Sequence, residues 1–222
     1  RKLAQKERVE LEPFHLVMVD GFEGFDEVDG HDSGHRYILR FVCASSGHRK
    51  SYSCLNKNRF VECLRMYLAW VECIAPIVEA KRKLPKGQIR VRVLCSDRDS
   101  NMTTIHGKHR TEFDQELCEK AIHRYFADVG DSNTAGAVES TFYPSCRQVN
   151  EVLLSRGIPE RFGHKCWIDL EDKFNCCMTR SNWLGNGEPP NVTLGLDAST
   201  DKFQPFGCIG TVNVDRKGLY LH

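Results

Sequence analysis

The apolar residues of this chain change period near residue 57, and that switch limits the folds open to it. Before it they fall in short strand-like runs: Phe14 to Val19 (FHLVMV), Arg36 to Cys43 (RYILRFVC) and Arg49 to Leu55 (RKSYSCL). The first run ends at Asp20-Gly21 and reads as a buried strand followed by a turn, with a Gly- and Asp-rich loop over 21–35. Ser45-Ser46-Gly47-His48 makes a short hairpin connection between the other two. After the switch, Phe60, Leu64, Tyr67, Leu68, Val71, Ile74 and Val78 recur at helical spacing. This predicts an amphipathic helix over 57–80, kinked or ended near Pro76 and closed by the basic segment KRKLPKG.

Beyond it, Ile89 to Cys95 (IRVRVLC) alternates as a strand does and stops at Ser96-Asp97. A polar loop over 98–111 leads to a helix over 112–126. A loop with capping residues follows, then a helix over 136–156 that contains Glu139 and is kinked or broken at Pro144. Another helix covers 160–179. Residues 183–206, rich in Gly, Pro and Asn, read as an extended linker, and 206–214 as a final strand. Residues 1–12 read as a charged helix or tail. Three strands followed by alternating helices and strands give an α/β fold, a mixed sheet with helices on both faces. The division is a core over 12–182 and a linker with a C-terminal strand over 183–222.

With 222 residues the chain can bury a core without staples. Its 31 Lys and Arg balance 30 Asp and Glu, so a nucleic-acid site would have to be a local basic stripe. The 11 cysteines are odd in number, widely spaced and mostly within apolar runs, which fits reduced intracellular thiols that pack as small hydrophobes. No apolar run approaches the roughly 18 residues that span a bilayer, so no membrane is expected. The opening is charged and lacks Met, and reads as a piece excised from something longer.

Chemistry is expected at three carboxylates. Asp20 ends the first strand, Asp97 follows the strand 89–95, and Glu139 lies near a helix start. Ligand and catalytic groups of open α/β sheets gather beyond strand ends. Three converging carboxylates suit Mg²⁺ or Mn²⁺, because hard cations take oxygen ligands. Two such ions about 4 Å apart support in-line phosphoryl transfer. Each acid also has an ordinary reading, as a turn Asp or as a Glu favourable to a helix dipole. His31 with His35, and His106 with His109, are closely spaced, but no Cys pair completes a zinc set, and solvated loop histidines fit better. Cys176-Cys177 reads as packing.

Several short segments, in order, resemble retroviral-type integrase catalytic cores, in particular those of Copia-like LTR retrotransposons. Cys95-Ser96-Asp97-Arg98-Asp99-Ser100 is similar to the family's second-Asp motif, and Asn133-Thr134-Ala135-Gly136-Ala137-Val138-Glu139-Ser140 to the motif with its third acid. Arg147, Leu153-Leu154, Gly157-Ile158-Pro159 and Phe162 to Trp167 follow in family order. Gly187-Glu188-Pro189-Pro190 and Pro205-Phe206-Gly207-Cys208 resemble the segment after the core. The resemblance spans about residues 14–212. It departs at the first acid: a His-x-Asp strand is expected, and His15-Leu16-Val17 puts Val17 in that place. Asp20 serves if the strand is shifted, with Asp26 and Asp29 as alternatives, and Cys43 replaces a later family Asp.

The resemblance implies an RNase H-like fold, a mixed five-stranded sheet flanked by helices. It implies a fragment of a Pol polyprotein, a metal-dependent DNA integrase that performs 3′-end processing and strand transfer of retrotransposon DNA in the nucleus, working as a homo-oligomer. Asp20, Asp97 and Glu139 would be the catalytic metal ligands for Mg²⁺ or Mn²⁺. Ser140, Arg147, Lys83 and Lys86 are the first candidates for DNA contact, with Lys81, Arg82, Arg156, Arg161 and Lys165 behind them. The alternatives are a decayed or repurposed integrase-like domain that binds DNA or a partner without catalysis, and a plain RNase H-like nuclease.

Overall fold

The computed structural model describes residues 11–23, 37–97, 110–126 and 188–199, the positions 102, 141–142, 147, 151–152, 154–155 and 178–179, and the backbone of 214–215 and 218–219. Its centre is a five-stranded mixed sheet of order β3-β2-β1-β4-β5. The strands are β1 (Leu16–Glu23), β2 (Tyr37–Cys43), β3 (Arg49–Cys54), β4 (Val93–Ser96) and β5 (His123–Phe126). β1 pairs antiparallel with β2 and β2 with β3, whereas β1–β4 and β4–β5 are parallel.

The β2–β3 hairpin forms as expected, closed by Cys43 N–H on the His48 carbonyl and by Gly47 in the left-handed region (φ 68). β1 departs from the expectation. Asp20-Gly21 is not a turn; the strand runs through it to Glu23, with Asp20 opposite Arg40 and Gly21 opposite Leu39. The glycine is there for space. A Cβ at position 21 would lie 2.9 Å from Phe60 Cζ, so only a bare backbone lets that ring reach the strand.

A 3₁₀ turn (Lys57–Arg59) leads into the long helix α1 (Phe60–Arg82). Phe60, Leu64, Tyr67, Leu68, Val71, Ile74 and Val78 are all buried, so the expected stripe is the face that covers the sheet. Tyr67 stacks on Phe41 with ring centres 4.1 Å apart. Pro76 neither ends the helix nor marks its last turn; it sits on the exposed side, where water can satisfy the carbonyl it leaves unpaired. The helix stops at Lys83, a left-handed residue (φ 55) whose N–H, with that of Leu84, returns to the Ala80 and Glu79 carbonyls.

The strand expected over 89–95 is shorter at its start. Ile89 and Val91 are buried, but pairing begins only at Val93. Phe14, in the left-handed region (φ 62), delays the start of β1 to Leu16, and the His15 carbonyl accepts from both Arg92 and Val93.

The helix expected over 112–126 is two elements. α2 (Glu112–Glu119), capped by Thr111 Oγ1 accepting from Asp114 N–H, ends in a turn with Ala121 at φ 53, and β5 follows. α1 and α2 cover the same face of the sheet, joined by the Arg65–Glu116 ion pair at 2.6 Å. Residues 141–142, 147, 151–152 and 154–155 are helical, in agreement with the helix expected there.

Within the segment expected to be an extended linker, α3 (Pro190–Leu194) forms and docks on α1 with Leu194 fully buried. A two-stranded ladder joins β6 (Val214–Asp215) and β7 (Gly218–Leu219). The six described cysteines are free, four of them buried. No helix among the described residues is long and apolar enough to cross a membrane.

Candidate functional site

Side chains alternate along β1, and the two faces differ in kind. Val17 and Val19 enter the core under α1, and Gly21 meets Phe60 there. Met18, Asp20 and Phe22 therefore project to the opposite face. Parallel pairing sets Leu16, Val17 and Met18 level with Val93, Leu94 and Cys95. The pairing ends there; β4 closes one residue later at Ser96, and Asp97 follows directly beyond it. Asp20 thus stands on β1 and Asp97 just past the end of β4, the strand paired with it. Asp20 is half-buried, with Oδ1 accepting from Gly21 N–H at 2.8 Å, and Asp97 is exposed.

The end of β4 is held firmly. Ser96, buried on the α2 side, donates to the Asp97 carbonyl at 2.8 Å and accepts from Arg124 Nη2 at 2.7 Å. Arg124 of β5 also bonds Asp114 Oδ1 at 2.6 Å and the Met102 carbonyl, and its guanidinium carbon lies 4.8 Å from the centre of the Phe126 ring. The residue before Asp97 is fixed by a charge-assisted network, so the acid leaves the sheet from a set position.

Glu139 and Ser140 lie outside the described residues. Thr141 and Phe142, next in the chain, are buried on the Asp20 face. Phe142 stacks on Phe22 with ring centres 5.2 Å apart. Thr141 Oγ1 accepts from Arg40 Nη1 at 2.8 Å. Arg40 is the residue that sequence reasoning missed. It stands opposite Asp20 in the β1–β2 register, is fully buried, donates from Nε to Ser51 Oγ at 3.3 Å, and lies under the Phe142 ring at 4.0 Å. The available signal was a charged residue inside the apolar run YILRFVC. Arg49, opposite Val42 and so on the same face, is buried too, and desolvation pulls its guanidinium down to about 10.

The other candidates are scattered. Arg147 is exposed and paired with Glu151 at 2.8 Å. Lys81, Arg82, Lys83 and Lys86 are exposed at the far end of α1. That helix starts at Phe60 against Gly21, and its 23 residues span about 34 Å, so these cations lie beyond the opposite end of the sheet from Asp20. Asp26, Asp29, His31, His35, His106, His109, Arg156, Arg161, Lys165 and Cys176-Cys177 lie outside the described residues. Among the described residues no cluster of three or more metal-ligating side chains occurs. Asp20 on β1 and Asp97 just past β4 are carboxylates, the oxygen donors that a hard divalent cation takes.

The chain matches no family model and no curated protein. Solved structures do resemble it. The HTLV-2 integrase catalytic core domain in complex with magnesium, in its trimeric form, superposes with a TM-score of 0.52 at 13% identity over 83% of this chain and 98% of that one. Its dimeric form gives 0.54 at 12% identity, with the same coverage. The fold is RNase H-like, that of a retroviral integrase core. An intasome of simian T-cell lymphotropic virus, in complex with PP2A regulatory subunit B56 gamma, also gives 0.54 at 12% identity, over 91% of this chain and 61% of that one.

Proposed function

We propose that this chain is the catalytic core of a metal-dependent DNA integrase, of the Copia-like LTR-retrotransposon type and part of a Pol polyprotein, that performs 3′-end processing and strand transfer. The observation that supports the reading is the parallel β1–β4 ladder, which carries Asp20 on β1 and leads to Asp97 just past β4, with Thr141 and Phe142 tied to the Asp20 face. Asp20, Asp97 and Glu139 are the ligands for Mg²⁺ or Mn²⁺. The bound ions supply Lewis-acid charge for an endonucleolytic cut and for the attack of a DNA 3′-hydroxyl.

The chain's own residues position the reaction. Asp20, fixed by the Gly21 amide, and Asp97, set by the Ser96–Arg124 network, would hold the ions in place. Ser140 and Arg147 engage flanking phosphates without reading sequence. Lys83 and Lys86, at the other end of α1, reach DNA only beyond the site. The neighbouring folds are dimeric and trimeric cores and an intasome, which supports a homo-oligomer acting on element and target DNA. The reading implies action in the nucleus.

The test is Mn²⁺ titration by calorimetry on the parent, Asp20→Asn, Asp97→Asn and Glu139→Gln, followed by a strand-transfer assay. Binding that each substitution weakens, with joined DNA products, is the expected result. A parent that binds no Mn²⁺ points to a decayed domain that holds DNA without cutting it. Cleavage without joining points to a plain nuclease.

A further inference from the structure

We propose that Cys54 and Cys63 form a dithiol that hydrogen peroxide converts to a disulfide, a modification that staples the end of β3 to the start of α1.

Four of the six described cysteines are buried, and two of those four meet. Cys54 is the last residue of β3, which lies at the edge of the five-stranded sheet. The 3₁₀ turn over Lys57–Arg59 leads the chain into α1, and Cys63 lies in the first turn of that helix. Both side chains belong to the one core that α1 forms with the sheet. The Cys54 thiol donates to the Asn56 carbonyl at 3.3 Å, and the Cys54 and Cys63 thiols are hydrogen-bonded to each other. Sulfurs already in contact need only a small approach to bond.

The two thiols are not equivalent. The hydrogen bond from Cys63 holds the Cys54 thiol below its usual range, against the effect of burial. The same bond, with burial, pushes the Cys63 thiol up. The thiolate is the nucleophile, so Cys54 attacks and Cys63 resolves. Attack of the Cys54 sulfur on one peroxide oxygen breaks the O–O bond, and the other oxygen leaves as water. Cys54 is then a sulfenic acid. The Cys63 sulfur attacks it, the S–O bond breaks, and a second water departs with the Cys63 proton. Two thiols are oxidised by two electrons in all, and one peroxide is reduced to two waters. Access favours a small oxidant: Cys54 is 6% exposed and Cys63 2%, while the adjoining Leu55 is 48% exposed. The bridge closes the segment that carries Phe60, whose ring meets Gly21 beside Asp20, so oxidation bears on a contact of β1.

Treating the folded full chain with hydrogen peroxide and mapping its cysteines by tryptic mass spectrometry tests the site. Lys57 and Arg59 lie between the two cysteines, so trypsin separates them and only a bridge rejoins their peptides. The expected result is the 54–63 cross-linked pair, on a chain that stays folded, has a raised urea midpoint and returns to free thiols with a dithiol reductant. In Cys63→Ser, the sulfenic-acid probe dimedone should mark Cys54; in Cys54→Ser it should leave Cys63 unmarked. The exposed Cys73 and Cys118 serve as internal references. Oxidation of both references while Cys54 and Cys63 stay free overturns the proposal, as does pairing of Cys54 with any other cysteine. So does a bridge that unfolds the chain, or dimedone on Cys63 of Cys54→Ser. If a variant does not fold, the peptide map of the parent decides alone.

Discussion

Gly21→Ala tests the local structure on which the site depends. The substituted strand needs no special backbone, since Gly21 is an ordinary ladder residue opposite Leu39, so any effect is steric. The added methyl would sit 2.9 Å from Phe60 Cζ and 3.0 Å from Phe60 Cε2, roughly 0.5 to 1 Å inside comfortable contact. Phe60 is fully buried at the first turn of α1 and cannot swing into solvent. Either the helix start shifts or β1 bends, and overpacking of this kind costs about 1–3 kcal/mol. Urea unfolding at pH 7 measures the loss. Phe60→Leu on its own creates a cavity and destabilises by a few kcal/mol, but in the pair the smaller side chain makes room for the methyl. The double variant should therefore recover about 1 kcal/mol or more relative to the sum of the singles. A glycine required by a turn would behave differently. Its penalty would come from the backbone and would not respond to the size of residue 60. Additive energies, or a Gly21→Ala cost under about 0.5 kcal/mol, would refute the close approach described here.

Two further outcomes follow from packing and burial. Leu194→Ala should destabilise by about 2–5 kcal/mol in the same unfolding measurement, because Leu194 is fully buried where α3 docks on α1; an undocked linker would lose nothing. Arg49 carries a pH signature: burial lowers its guanidinium from its ordinary value to about 10, so the unfolded chain holds the extra proton in the window above that. This group's contribution to stability therefore rises with pH through that window, and below it the burial penalty is constant. Arg49→Met removes the penalty and should raise the urea midpoint at pH 7, by up to about 3 kcal/mol in stability. A lowered midpoint would mean that contacts of the guanidinium outweigh its desolvation.

The sequence was most legible where one period ran unopposed. The α1 stripe and the β2–β3 hairpin carry their own signals, and the structure keeps both. β5 was hidden because Phe113 and Leu117 keep helical spacing and nothing marks the break: Ala121 adopts φ 53, a conformation that sequence usually announces with Gly or Asn. β4 begins late because its partner does, and the delay originates in the φ of Phe14. Asp20-Gly21 looked like a turn because that dipeptide usually is one; here the demand for glycine comes from Phe60, 39 residues later. Asp97 was accessible from the rule about strand ends. Arg40 was not, since its burial depends on Thr141, 101 residues away, and a lone Arg in a strand gives no sign of what will cover it.

The place where these residues meet follows from topology. Among the described strands, β1 alone pairs antiparallel on one side and parallel on the other. Chain connections leave such a strand in opposite senses on its two flanks, and a crevice opens at the carboxyl end of the parallel pair. Asp20 is the fifth of the eight residues of β1 and so lies toward that end. On the parallel flank β4 leads to an exposed carboxylate, Asp97, just past its end, and across the antiparallel flank stands a sealed guanidinium, Arg40. The negative side of this arrangement faces water, where a cation can arrive, and the positive side faces the interior, where it draws in Thr141 and Phe142. An acid placed earlier on β1 would lie deeper between its neighbours, as Met18 does, and would have no open side on which to bind an ion. The position of Asp20 toward the end of β1 is what leaves this strand a carboxylate that is only half-buried.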